Sequence, residues 1–116
     1  MQDYRKLVVW QKAHQLTLRM YAVSVRLSEP RAWPLRDQLL RASISVPSNI
    51  AEGCGRGTDR DFRRFLLITL GSLNEVEYDL LLAKDLEFIP GAEHIALSAQ
   101  LEEVRRMLSG LIASVR

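Results

Sequence analysis

Cysteine is almost absent from this 116-residue chain, since Cys54 stands alone and cannot form an internal disulfide. A lone cysteine fits a reducing compartment, which predicts a cytoplasmic protein. Apolar runs are also short, because none approaches the roughly 20 residues that a membrane-spanning helix needs. The segment from Met1 to Lys6 is largely polar, so we expect neither a secretory signal nor a membrane partner.

Glycine and proline are scarce, with six and four residues respectively, and seven of these ten cluster at three places. Pro30 and Pro34 bracket one turn, the run from Gly53 to Gly57 holds three glycines, and Pro90 with Gly91 marks the last turn. The period-two alternation that is typical of strands is missing between these turns. The pattern therefore predicts four helices, over about residues 7–27, 35–52, 59–86 and 93–115.

Each predicted helix carries an apolar seam with spacings of three and four residues, the period of a packed helix face. In the fourth helix the seam runs from His94 through Leu111 to Val115. Short connections between helices of similar length favour antiparallel neighbours. We therefore predict an all-α single domain that spans the whole chain as an antiparallel up-down-up-down four-helix bundle. The seam residues of the first three helices are Val9, Ala13, Leu16, Met20, Val23, Leu27, Leu39, Ala42, Val46, Ile50, Phe62, Leu66, Thr69, Leu73, Val76, Leu80 and Ala83.

Two helices have more apolar surface than one seam requires. The first and third helices each carry a second stripe opposite the seam, again at spacings of three and four residues. A helix that is apolar on both sides is buried on both sides, so these stripes predict a homo-oligomer. The alternative is a wide core face that spreads around the helix. The predicted interface residues are Trp10, Leu18, Tyr21, Leu67, Gly71, Tyr78 and Leu82.

Signatures of catalysis are lacking. His14 and His94 lie on apolar stripes, and neither has the glutamate three residues earlier that the di-iron motif of helical bundles requires. Cys54 has no neighbouring cysteine or histidine that would complete a zinc site. The glycine-rich turn follows a helix rather than a strand, unlike a dinucleotide-binding fingerprint. We expect no enzymatic activity, no cofactor and no metal.

The net charge of +2 conceals an uneven distribution. Up to Ser72 there are twelve basic and six acidic side chains, whereas the remainder has four basic and eight acidic ones. One basic group recurs every seven positions along the first helix and predicts a continuous ridge. The ridge either tracks phosphates or pairs with carboxylates such as Glu75 and Asp79 from a neighbouring helix or subunit, and we favour pairing. The ridge consists of Arg5, Lys12, Arg19 and Arg26.

A second basic group, which we call the turn cluster, surrounds the glycine-rich turn before the third helix. Thr58 and Asp61 form a predicted capping box there. Free backbone N–H groups at a helix start, together with guanidinium groups, suit an anion site that contacts nucleic acid. The alternative, which we favour, is an ordinary solvated turn, since Asp59 and Asp61 offset part of the charge. The turn cluster consists of Arg56, Arg60, Arg63 and Arg64.

Several sequence blocks resemble a known family. They are Gln38 to Ser43, Asn49 to Arg56, Phe62 to Leu66 and Gly71 to Glu75. Together they resemble the bacterial four-helix bundle proteins known as the 23S rRNA intervening-sequence protein family. The chain is also similar to the accessory protein of diversity-generating retroelements, a basic pentamer that associates with a reverse transcriptase and nucleic acid. The chain departs from the family pattern at Cys54, where an aromatic residue is common.

The resemblance implies a homopentamer and a buried polar network in which Arg41 pairs with Glu52 or Glu75. It also implies that Gly71 permits close approach of another helix. The network implied by the resemblance consists of Gln38, Arg41, Asn49, Glu52 and Glu75.

Two functions follow as hypotheses. The first is a non-enzymatic pentameric module that contacts RNA or DNA through arginine-rich surface. The alternative is an oligomeric scaffold that binds a protein partner without nucleic acid. These hypotheses differ in a measurable way, because phosphate contacts make affinity fall steeply with salt, whereas apolar contacts with a protein do not.

Overall fold

Helices dominate the computed structural model, which describes residues 2–115. No strand occurs within that range, so the predicted all-α fold class is confirmed. Short 3-10 turns precede the first and second helices. The helices are α1 Val8–Ser24, α2 Trp33–Cys54, α3 Asp59–Asp85 and α4 Gly91–Ser114.

The boundary between α1 and α2 lies earlier than the sequence pattern predicts. α1 ends at Ser24 because the amides of Arg26 and Leu27 bond to carbonyls three residues back, in a tighter pattern than the α-helix. α2 begins at Trp33, with Pro34 in its first turn. Proline is well suited to that position, where its missing N–H would have no helical acceptor.

Gly53 does not end α2, although the glycine-rich sequence predicts an earlier end. A Cβ atom at position 53 would lie 2.9 Å from the Cβ of Phe65 and 3.1 Å from the Cδ1 of Phe62. Glycine therefore allows α2 and α3 to meet closely at this point. The helix ends at Cys54, which is buried, and the turn begins at Gly55.

The four helices pack as a closed ring in which each contacts two neighbours. α2 lies between α1 and α3, and α4 completes the ring by packing on α3 and α1. Every seam residue predicted for the first three helices is buried inside this ring. On α4 the predicted seam is partly wrong, since Ile112 is buried whereas His94, Leu111 and Val115 are half-buried. No helix within residues 2–115 is both long and apolar enough to cross a bilayer.

Candidate nucleic-acid interface

The predicted basic ridge is exposed and runs beside α4, with Lys12 and Arg19 on α1 and Arg26 just after its end. Its two longest-range ion pairs join Lys12 to Glu103 at 3.4 Å and Arg26 to Glu93 at 3.0 Å. Between them, Arg19 donates a 3.3 Å hydrogen bond to the side chain of Gln100 on α4. Arg5 precedes the helix and pairs with its near neighbour Asp3 at 3.1 Å. The ridge is therefore neutralised at contact distance along most of its length.

Within one subunit the ridge does not meet the carboxylates predicted for it. Glu75 and Asp79 lie on α3, whereas the ridge faces α4, so the carboxylates that it meets are Glu93 and Glu103. The choice follows from the rotation of α1 about its own axis, which is set by burial of its seam. The preferred interpretation of the ridge as an ion-pairing surface nevertheless agrees with the distances.

Arg63 has different contacts from the other three arginines of the turn cluster. Its Nη1 donates a 3.1 Å hydrogen bond to the backbone carbonyl of Ile112, in the last turn of α4. This carbonyl also accepts a 3.3 Å hydrogen bond from the amide of Val115, so Arg63 adds a second donor and ties the start of α3 to the end of α4. We assign Arg63 a structural role.

Arg56 and Arg64 both lie against the ring of Phe65. Their Cζ atoms are 4.8 Å and 4.7 Å from the ring centroid, within cation–π range. Phe65 is only 6% exposed, because the structure around it, including the two guanidinium groups, covers its ring. A side chain that ends in a planar cation thus shields an apolar ring while its N–H groups remain near solvent.

The carboxylates near these arginines are too distant for hydrogen bonds. Arg56 lies 3.6 Å from Glu52 and Arg64 lies 3.7 Å from Asp61. Arg60 has no ion pair within residues 2–115, and none of the three arginines donates a hydrogen bond to any of those residues. The turn cluster therefore differs from the ridge in how closely its cations are paired, since the ridge has partners at 3.0–3.4 Å, Arg56 and Arg64 have longer ion pairs and Arg60 has none within residues 2–115.

Backbone N–H groups contribute less to this site than the sequence predicts. Thr58 caps α3 as expected, since its Oγ1 accepts a 3.1 Å hydrogen bond from the amide of Asp61. The amides of Gly55 and Arg56 are bonded to carbonyls in the last turn of α2, and the amide of Phe62 is bonded to Thr58. The side chains of Arg56, Arg60 and Arg64 therefore supply donors in addition to the amides of this turn that are not bonded within the fold.

The predicted polar network forms only in part. Asn49 donates to the carbonyl of Ser45 at 2.8 Å, and the Ser45 hydroxyl donates to that of Ser72 on α3 at 2.6 Å. The pairing of Arg41 with Glu52 or Glu75 is wrong, because Glu52 faces Arg56 instead. Arg41, Glu75 and Gln38 are exposed and form no hydrogen bond within the described residues.

Asp79 is a buried carboxylate that sequence reasoning placed in the wrong environment. It is 1% exposed, and its Oδ2 has no hydrogen-bond partner within residues 2–115. Burial, reinforced by repulsion from Glu75, raises the pKa of Asp79 to about 6, while the charge of Arg41 acts in the opposite direction. The sequence signal for this burial is its spacing, because Asp79 lies three residues after Val76 and four before Ala83, both on the predicted seam.

Four of the seven predicted interface residues are exposed apolar or aromatic side chains. They are Leu18, Tyr21, Leu67 and Tyr78, with exposures of 47–57%. Nothing lies within 4 Å of a Cβ built on Gly71, so within this chain no helix uses the close approach that it permits. Trp10 and Leu82 are half-buried, and Trp10 stacks on His14 at 5.2 Å.

The family assignment rests on a profile match. The sequence profile described as 23S rRNA-intervening sequence protein matches residues 5–110. The chain belongs to this family. The matched range includes the whole turn cluster and both exposed apolar faces, so these features lie inside the family domain.

One solved structure of a related intervening-sequence protein has the same fold. It is a crystal structure of a protein of unknown function from the S23 ribosomal protein family of Bacteroides thetaiotaomicron. The TM-score is 0.85 at 27% sequence identity, and the similarity covers 90% of this chain and 98% of that chain. No match was found among proteins of curated function. This member of the intervening-sequence family has, within residues 2–115, no group of three or more metal-ligating side chains.

Proposed function

We propose that this protein is a non-enzymatic, homo-oligomeric helical module that contacts the phosphate backbone of RNA or DNA through Arg56, Arg60 and Arg64. The observation that carries the proposal is the contrast between two basic surfaces on one small domain. Arg5, Lys12 and Arg26 of the ridge pair with carboxylates at 3.0–3.4 Å, whereas the ion pairs of Arg56 and Arg64 are longer, at 3.6 Å and 3.7 Å, and Arg60 has none within residues 2–115. Guanidinium groups with available donors suit phosphate oxygens in number and geometry.

Assembly is proposed to occur through the second apolar faces of α1 and α3, as the pentamer that the family resemblance implies. On α3 the face includes Leu67, Tyr78 and Leu81, which are 40–57% exposed, and Leu18 and Tyr21 form its counterpart on α1. Apolar surface of this extent on a small domain is typical of a protein contact. Several copies would also bring several turn clusters together, which strengthens attraction to a polyanion.

An antiparallel up-down-up-down bundle is the topology we propose for each subunit. Three contacts support it by joining the start of one helix to the end of its neighbour. The amide of Gln2 donates to the carbonyl of Cys54 at 3.1 Å, which places the beginning of the α1 segment beside the end of α2. Arg26 meets Glu93 at 3.0 Å, and Arg63 bonds to Ile112 at 3.1 Å.

A scaffold that binds only protein partners is the second candidate. Two observations favour it. The ion pairs of the ridge offset the charge of one of the two basic surfaces, and the exposed apolar faces suit a protein partner. A cytoplasmic location remains a prediction in both cases.

Matched charge removal distinguishes the two candidates. One variant carries Arg56→Gln, Arg60→Gln and Arg64→Gln, and its control carries Lys12→Gln, Arg19→Gln and Arg26→Gln. Both lose the same formal charge, and circular dichroism checks that both stay helical. We expect the first variant to lose retention of RNA and DNA oligonucleotides at low salt, while the control retains them.

The salt dependence gives a second measure in the same experiment. Affinity for nucleic acid falls with salt, and each lost phosphate contact should make the slope of log affinity against log salt concentration less steep by about 0.7–0.9. Equal losses in both variants would mean that net charge alone governs binding and would refute the assignment to the turn cluster. A wild-type protein that retains no oligonucleotide at low salt would leave the scaffold as the function.

A further inference from the structure

Two arginines contact one aromatic ring, and this contact restricts where their side chains lie as well as supplying charge. Arg56 approaches the ring of Phe65 from the turn after α2, and Arg64 approaches it from α3, with Cζ distances of 4.8 Å and 4.7 Å. Two long side chains from different segments are thereby held beside the same buried ring. Free arginine side chains lose about 2 kcal/mol of rotamer entropy when a ligand immobilises them. Chains already held on a ring lose less.

Three features keep this pair in place. Phe65 is 6% exposed and belongs to the packed face between α2 and α3. Gly53 allows α2 to come so close that a Cβ there would lie 2.9 Å from the Cβ of Phe65. Glu52 and Asp61 stand 3.6 Å and 3.7 Å from the two guanidinium groups, near enough to orient them electrostatically without accepting their hydrogen bonds.

We propose that Phe65 is a positioning residue that makes Arg56 and Arg64 a preorganised clamp for the phosphate groups of a phosphodiester backbone. This inference rests on the proposed function and specifies it, because it assigns affinity to the geometry of two guanidinium groups and not to their charge. The Cζ atoms of both arginines lie over the ring of Phe65 while their side chains stay 42% and 57% exposed, so N–H groups remain for phosphate oxygens. Arg60 has no contact with an aromatic ring in the described residues and contributes charge alone.

Lysine substitution tests this division of labour. Lysine keeps the positive charge but lacks the planar fork that stacks on a ring and binds phosphate with two hydrogen bonds. A variant with Arg56→Lys and Arg64→Lys should bind oligonucleotide about tenfold more weakly than wild type, the loss expected for a bidentate contact. The control Arg60→Lys should stay within about twofold, because no stacked geometry is lost. The salt slope should be the same for all three proteins, since their charges are equal.

A second variant removes the ring and leaves both arginines. Phe65→Leu keeps an apolar side chain in the core but offers no π face, so affinity should fall about tenfold with an unchanged salt slope. Thermal melting identifies any loss of fold in this variant, and the lysine pair provides the test that does not alter the core. Single-stranded and duplex oligonucleotides are titrated in parallel, and similar losses for both would assign the clamp to the backbone common to them.

The outcomes separate the clamp from the proposed function. Wild-type affinity in the lysine pair, or equal losses in the lysine pair and Arg60→Lys, would overturn the clamp. If the glutamine variants still lose binding in that case, the proposed function stands without it. Absence of any oligonucleotide binding by the wild-type protein would overturn both.

Discussion

Thr17 of α1 donates a 2.8 Å hydrogen bond from its Oγ1 to the backbone carbonyl of Ser43 in α2. Pro47 explains why that carbonyl is available, because proline has no N–H to donate to the carbonyl four residues earlier. The hydroxyl of one helix thus replaces the bond that proline removes from another. α2 remains continuous through Pro47, and the two helices are joined where an unpaired carbonyl would otherwise be buried.

Replacement of this hydroxyl should destabilise the fold. Thr17→Val keeps the shape of the side chain and should lower the free energy of unfolding by about 1–2 kcal/mol, because it leaves the Ser43 carbonyl unpaired. The control Thr69→Val removes a hydroxyl whose acceptor, the carbonyl of Phe65, belongs to a regular turn of the same helix, and should cost less. Urea denaturation at one protein concentration measures both.

A double-mutant cycle isolates the link between Thr17 and Pro47. In a Pro47→Ala background the new amide can bond to Ser43, so the cost of Thr17→Val should shrink. An undiminished cost in that background would show that the threonine stabilises the fold in some other way.

The close approach of α2 and α3 predicts that alanine substitutions at two glycines change the stability of the fold in opposite directions. Gly53→Ala should destabilise the fold by about 1–2 kcal/mol, since the added Cβ meets Phe65 at 2.9 Å and the overlap outweighs the gain in helix propensity. Gly110→Ala on exposed α4 has open space around it and should stabilise by about 0.5–1 kcal/mol. Equal effects at the two positions in chemical denaturation would contradict the close approach.

The buried carboxylate of Asp79 predicts a specific pH dependence of stability. Its pKa is raised from 3.8 to about 6 in the folded chain, so folding favours its protonated form. The stabilising contribution is complete below pH 3.8 and is lost as the pH rises through about 6. Asp79→Asn mimics the neutral form and should therefore be more stable than wild type at pH 7–8, by at most about 3 kcal/mol.

The control for this prediction is Asp37→Asn, because Asp37 is exposed. Unfolding free energies of wild type and both variants are compared across the pH range from 4 to 8. The advantage of Asp79→Asn should grow with pH and level off above the folded-state pKa. If the stability advantage of Asp79→Asn over wild type shrank as the pH rose, the pKa of Asp79 would be lowered by folding, not raised. That result would refute a buried carboxylate without a compensating partner.

Self-association should depend on the exposed face of α3. Tyr78→Glu or Leu67→Glu should reduce the mass measured by light scattering while helicity persists, because a charge would be buried in the proposed interface. Ile95→Glu is the matched control, since Ile95 is 71% exposed on α4 outside that face. An unchanged mass in the α3 variants would show that the interface lies elsewhere. A monomeric wild-type protein would refute the proposed self-association.

Which charges pair could not be predicted from the sequence. The sequence predicts the ridge on the flank of the first helix, but whether it meets α3 or α4 depends on how the helices are arranged around the ring. Likewise, the four arginines of the turn cluster have different contacts although they are close in sequence. Arg63 bonds to the end of α4, whereas Arg56 and Arg64 both contact Phe65. Only the relative placement of α2, α3 and α4 separates them.

The sequence by itself determined the four helices and the inward faces of the first three, because helical periodicity is a local property of the chain and burial follows it residue by residue. The tertiary structure decided that Gly53 rather than Gly71 permits close approach within the chain, and that Asp79 is buried. It also decided which arginines remain available to a ligand. These outcomes depend on the rotation and register of one helix against another, and those are fixed by the packing of the whole core rather than by any local pattern.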